Sequence, residues 1–224
     1  MVLVEIPKDN NSIEVDDTLM ARYGDAVRFV IENNDSKGAY HTTHHLLGVA
    51  TILCSMFNRL SPDALTQVQR DTLVYAALFH DFDHPGTGDD VLNIKTTIDA
   101  LYAKDAWSVI PKELSLDVYN AINETLWPAP ADLVISDVNW YLRDADQLYA
   151  TVYLTPELSR ELFKELGPRF NVPTYSQWLF RNVEYVMSLP GALHYECAKY
   201  VYDCHLPKSL KIHFAELYKQ IDGE

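Results

Sequence analysis

The chain has 224 residues, 48% of them hydrophobic, with 18 Lys plus Arg against 32 Asp plus Glu and a formal charge of −14. That size and apolar content suit one ordinary globular domain with a core, and 8 glycines with 11 prolines are too few for a disordered or fibrous chain. The acidic balance argues against a broad nucleic-acid surface, because phosphate backbones are held mainly by Lys and Arg. Three cysteines, Cys54, Cys197 and Cys204, make no disulfide framework and fit a reducing compartment. Glu5, Lys8 and Asp9 interrupt what would be the apolar core of a signal peptide, and no run of about 18 apolar residues occurs. The expectation is a cytoplasmic protein with no membrane span.

No linker, repeat or low-complexity segment divides the sequence, so residues 1–224 read as a single domain. From Asp17 to Asn33, Leu19, Met20, Tyr23, Ala26, Val27, Phe29 and Val30 recur at helical spacing. The polar stretch at 33–38 breaks that helix. A second helix is expected from about Tyr40 to Leu60, with Leu46, Val49, Ala50, Leu53 and Phe57 inward. Ser61-Pro62 offers an N-cap and a first-turn proline for a third, which runs through Val68, Leu73, Val74, Ala77 and Leu78 to Pro85-Gly86. Further helical patterns cover 89–104, 112–126, 132–151, 155–166, 174–188, 191–203 and 208–221. Alternating strand patterns are nearly absent. The predicted architecture is all-α, a helical bundle in which inward side chains converge on one central site.

The third helix ends in His80-Asp81-Phe82-Asp83-His84-Pro85-Gly86, which packs two histidines and two aspartates into five positions. Upstream, His41 and His45 stand four residues apart, hence one turn apart on one helix face, and either could be a ligand. Downstream, Asp144 and Asp146 sit in an apolar-patterned helix. One of them pointing inward would be costly unless a metal compensated it. Taken singly, each histidine is explained by a hydrogen-bonded core and each acid by solvent. Together, His, His-Asp and Asp on three helical segments supply mixed nitrogen and oxygen donors suited to Zn, Mn, Fe or Mg.

The order His45, His80-Asp81, Asp146 resembles the HD-domain superfamily of metal-dependent phosphohydrolases, and Ala145-Asp146-Gln147-Leu148 is similar to the Ala-Asp-Arg-Leu around that family's last ligand. This selects Asp146 over Asp144. Tyr40-His41-x-x-x-His45 and His80-Asp81-x-Asp83-His84-Pro85-Gly86 are similar to the Tyr-His-Asn-x-x-His and His-Asp-x-Asp-His-Pro-Gly of cyclic-nucleotide phosphodiesterases. Gln177-Trp178-Leu179-Phe180 is similar to their purine-binding Gln-x-x-Phe, although so short a pattern arises easily by chance and an ordinary amphipathic helix with Phe180 in the core is the more economical reading. The chain departs from the pattern at Thr42 and Asp89, where those enzymes carry Asn, and is much shorter than their catalytic domains.

The resemblance implies one or two divalent metal ions, with His45, His80, Asp81 and Asp146 as ligands of the first and Asp81 bridging to the second. It implies His41 as general acid, Asp83 and His84 as supporting residues, and Gln177 and Phe180 as substrate contacts. The expected activity is hydrolysis of a small phosphorylated substrate, a cyclic or other small nucleotide. A nucleoside mono- or triphosphate phosphohydrolase and a noncatalytic nucleotide-binding module are the alternatives. Oligomeric state is not legible.

Overall fold

A computed structural model describes residues 1–9, 11–87, 89–130 and 133–222. Helices dominate, but the chain opens with a hairpin that the sequence reading did not expect. Strands β1 (Val2–Ile6) and β2 (Asn11–Val15) pair antiparallel, with Val2 opposite Val15 and Ile6 opposite Asn11. Val4, Ile6, Ile13 and Val15 face the core, the alternation that a half-buried strand needs. Two runs this short carry little periodic signal beside so much helix.

Helix α1 (Asp17–Asn33) starts where Asp16 accepts the Thr18 N–H at 2.8 Å. Helix α2 (Thr43–Phe57) is apolar on nearly every side and lies at the centre of the fold, packed on α3 (Gln67–Phe79) and α6 (Trp140–Val152). It begins at Thr43 and not near Tyr40, so His41 precedes the helix. Helix α3 begins later than Ser61-Pro62 predicts. Thr66 and Gln69 form a reciprocal capping box there, whereas Ser61 closes a turn by accepting the Ala64 N–H. Across the α1–α3 contact, Asp71 accepts from Arg22 at 2.7 and 2.8 Å and from the Tyr23 hydroxyl at 2.6 Å.

Helix α4 (Asp90–Ala103) is capped by Asp89, which accepts the Leu92 N–H at 3.2 Å. A 3₁₀ turn at 112–114 leads into α5 (Ser115–Asn123), and another at 137–139 leads into α6. Helix α7 (Pro156–Leu166) has Thr155 as cap and Pro156 in its first turn. Helix α8 (Tyr175–Ala192) carries Pro190 near its end. The patterns at 191–203 and 208–221 belong to one helix, α9 (Glu196–Asp222), which continues through Pro207. Packing against α6 and α8 holds α9 together where the proline removes a backbone hydrogen bond.

Candidate metal centre and cavity

The segment after α3 is folded against the loop after α1, and this fixes the His-Asp cluster. Asp83 takes a left-handed backbone (φ 57°), its N–H donates to Asn34 Oδ1 at 2.7 Å and its carboxylate accepts the Asp35 N–H at 2.6 Å. Lys104 pairs with the same carboxylate at 2.6 Å. Lys37 N–H reaches the His84 carbonyl at 2.7 Å. The two strands of chain come this close because both carry glycine. A Cβ on Gly86, which has φ 73°, would lie 3.1 Å from Gly38 backbone atoms.

Four donor atoms from α2, the α3 terminus and α6 meet at one point. His45 Nε2 lies 3.2 Å from His80 Nε2, 3.3 Å from Asp81 Oδ2 and 3.3 Å from Asp146 Oδ1. His80 Nε2 lies 3.2 Å from Asp81 Oδ2 and 3.7 Å from Asp146 Oδ1. Donors held about 2.0–2.2 Å from one cation at tetrahedral or octahedral angles are themselves about 2.8–3.6 Å apart, so this set has close to the spacing of a coordination sphere. His80 Nδ1 donates to the Ala77 carbonyl at 2.9 Å, which leaves Nε2 as the lone-pair nitrogen of the neutral ring. The donor chemistry therefore fits a divalent metal.

Electrostatics agree with that fit. Burial opposes charge on Asp81, yet the neighbouring His80 and His41 rings hold its carboxyl well below the usual range. Asp146 is lowered too, against burial, by hydrogen bonds from His45 and His80. Burial would strip His80 of its proton, but Asp81 and Asp146 raise it well above its ordinary value. A cation that binds here replaces that proton.

His41 lies beside the cluster, its Nε2 3.8 Å from Asp81 Oδ2. Its proximity comes from the turn before α2 and not from helical spacing. Its Nδ1 is paired with Glu165 of α7, a residue the sequence reading missed. Glu165 also accepts the Tyr40 N–H at 2.9 Å, and its side chain is only 2% exposed. A Cβ on Gly38 would lie 2.7 Å from this carboxylate, so Gly38 leaves the space Glu165 fills. Burial lowers the pKa of His41, but Asp81 and Glu165 outweigh it and raise it to about 9. On its other face His41 stacks on His84 with centroids 4.3 Å apart. His84 Nδ1 accepts the Gly86 N–H at 3.0 Å, and burial pushes this histidine down to about 4, so it stays neutral.

The two candidate acids of α6 take different roles. Asp146 joins the cluster, whereas buried Asp144 accepts the backbone N–H groups of His194 and Tyr195 at 2.9–3.0 Å, between α8 and α9. His44 lies off the His45 face and shares a 2.7 Å hydrogen bond with the Tyr149 hydroxyl. Tyr149 also sets its ring edge-on to His45 at 4.5 Å, and Gly48 makes room for it, since a Cβ there would lie 2.4 Å from the ring.

His41, His80, Asp81 and Asp146 open onto a cavity of 380 Å³. Gln177 and Phe180 do not line it. Both are exposed, Phe180 by 59%, and α8 turns Trp178, Arg181, Asn182 and Tyr185 to the cavity instead. One helical residue is about 100°, so Phe180 falls on the side opposite Trp178. From α9, His213 reaches the same cavity, although its sequence position matched nothing.

Comparison with known proteins agrees with the cluster. Residues 42–151 match the family model described as HD domain, a stretch that contains all four converging donors. No curated protein and no solved structure matches the chain. HD domains are generally metal-dependent phosphohydrolases, and the histidines and aspartates gathered here fit metal binding. Among the described residues the fold is all-α apart from one hairpin, and residues 42–151 place the chain's helical centre in the HD-domain superfamily.

Proposed function

We propose that the protein is a phosphodiesterase that hydrolyses a small nucleotide; His45, His80, Asp81 and Asp146 would hold a divalent cation, and Asp81 would also help to hold a second. The observation that carries this reading is the convergence of the four donor atoms at 3.2–3.7 Å with the His41 ring beside them. When bound, the cation supplies a Lewis acid for the phosphoryl group and lowers the pKa of water from about 15.7 to near 7.

His41 holds a proton on Nε2, which faces the cluster, while Glu165 secures the proton on Nδ1. That arrangement suits a general acid that protonates the leaving oxygen. His84, neutral and stacked on His41, keeps the ring plane fixed. Asp83 and Lys104 hold the loop on which His84 stands. Tyr40, Trp178 and Tyr185 border the space in which the rest of the substrate would lie. The same proposal treats 1–224 as one domain, since one hydrophobic cluster runs from Val4 to Tyr202. It also treats the protein as cytoplasmic, on its three unpaired cysteines.

The test is elemental analysis of the purified protein, then assay of an aryl phosphodiester, an aryl phosphomonoester and a panel of cyclic and linear nucleotides with Mn, Mg and Zn. Bound metal with diester turnover is expected. Monoester-only turnover would move the reading to a nucleotide phosphohydrolase, and absence of both metal and turnover would leave a binding module.

A further inference from the structure

Three arginines line the cavity that holds the metal donors: Arg143 on α6, Arg169 after α7 and Arg181 on α8. Of the five arginines elsewhere, Arg22 pairs with Asp71, Arg28 with Asp25 and Arg160 with Glu216, whereas Arg70 donates to backbone carbonyls and Arg59 lies over the Tyr200 ring. Among the described residues none of the three cavity arginines has a carboxylate partner. Arg169 donates to the Trp127 carbonyl at 3.0 Å and Arg181 to the Phe170 carbonyl at 3.2 Å. Arg143 donates through Nη1 to the carbonyls of Glu124 and Leu126 at 2.6 and 3.1 Å, while its buried Nε has no acceptor.

Backbone carbonyls aim a guanidinium without neutralising it, so each arginine keeps its full charge and spare donors. Arg143 is only 5% exposed, and a desolvated charge without a counter-charge is costly. Nearby acids attract these charges without pairing with them: Asp146, Asp90, Glu124 and Asp144 act on Arg143, and Asp90 on Arg169, with no ion pair formed among the described residues. Asp81 and Asp146 belong to the metal cluster, Glu165 is paired with His41, and Asp90 accepts the Trp127 N–H, its ionisation opposed by burial. A divalent cation would offset Asp81 and Asp146, and Glu165 offsets His41, so the surplus positive charge of the cavity lies on its arginines. A substrate with one phosphate would satisfy only the metal centre.

We propose that Arg143, Arg169 and Arg181 form a second anion subsite, so that the substrate is a small molecule with two phosphate groups, one cleaved and one held by the arginines. The substrate assignment rests on the phosphohydrolase reading, but the anion subsite is measurable without turnover. The probes are adenosine 5′-monophosphate and adenosine, titrated calorimetrically into full-length protein stripped of metal by chelation, so that a phosphate finds only the arginines.

Wild type is expected to bind the monophosphate about tenfold or more tightly than adenosine, as one added charge-assisted pair of about 1.5 kcal/mol or more implies. Arg169→Gln and Arg181→Gln, at partly exposed positions that spare the buried Arg143, should each reduce that preference several-fold, and raised salt should reduce it further. A thermal melt establishes that each variant is folded. Equal affinity for the two probes, or a preference that survives both substitutions, overturns the subsite. The preference together with absence of any phosphate ester hydrolysis supports the subsite and overturns the phosphohydrolase reading. Hydrolysis without the preference does the reverse.

Discussion

The stretch matched by the family, 42–151, and the helices that follow it contribute to one cavity in different ways. The first brings four donor atoms from three segments into contact and buries His45 and His80 almost completely. The second, α7 to α9, contributes no member of that cluster but supplies Glu165, Arg169, Trp178, Arg181, Asn182 and His213. Metal chemistry thus resides in a compact and recurrent motif. Glu165, which pairs with His41, and part of the cavity wall come from outside that match, while Asn93, Trp127 and Arg143 wall the cavity from within it. Two proteins could therefore hold the same cation and act on different esters.

The sharpest way to break this contrast is to remove a donor. His80→Ala or Asp81→Ala should abolish metal retention, read by elemental analysis after dialysis, and take hydrolysis to background. Metal kept in full by either variant would dissolve the proposed centre. His41→Ala should retain the metal and slow turnover by about 10² to 10⁴, the usual scale for a general acid. An unchanged rate with an aryl ester of good leaving group, set against a large loss with a poor one, would identify the proton as going to the leaving oxygen.

Glu165→Gln acts from α7 on His41, which stands just before the matched stretch. Without the carboxylate, His41 loses part of what keeps its pKa near 9, so the acid form disappears at lower pH. The alkaline limb of the rate profile should move to lower pH, with a rate loss on the order of tenfold at pH 8 and metal content unchanged. A scaled-down profile of unchanged shape would mean that Glu165 only packs there.

The smallest expected effect lies within the matched stretch but away from the cavity, and separates stability from chemistry. Burial disfavours charge on Asp71, but hydrogen bonds from Arg22, Tyr23 and Gln67 lower its pKa below the usual carboxylate value. Its contribution is therefore full above the unfolded value of about 3.9 and fades as pH falls below it. Asp71→Asn should cost about 1 kcal/mol in urea unfolding at pH 7, less near pH 3, and leave turnover intact.

The donor set was legible because its members advertise themselves locally. His80 and Asp81 are adjacent, and Asp146 sits in an Ala-Asp-x-Leu context. Glu165 carried no such signal: its partner lies 124 residues away in sequence, and only folding joins them. A faint clue existed, since an acid in the last turn of α7 opposes the helix dipole and needs some compensation. For α8, the short Gln-x-x-Phe match was the weaker guide, and the spacing of Trp178, Asn182, Val186 and Leu189 marked the inward face. The N-cap at Ser61 failed because a reciprocal cap five residues later does more for the helix. The hairpin and the single run of α9 through Pro207 depend on tertiary packing, which overrides local propensity.

Asp144 and Asp146 are separated by about 200° around α6, so the helix is gripped from opposite sides. The backbone between α8 and α9 holds one flank, and the histidine cluster meets the other. Rotation of α6 about its own axis would break both attachments at once. Asp146 is thereby aimed with the precision of a part keyed to its shaft, and the key lies on the side away from the chemistry.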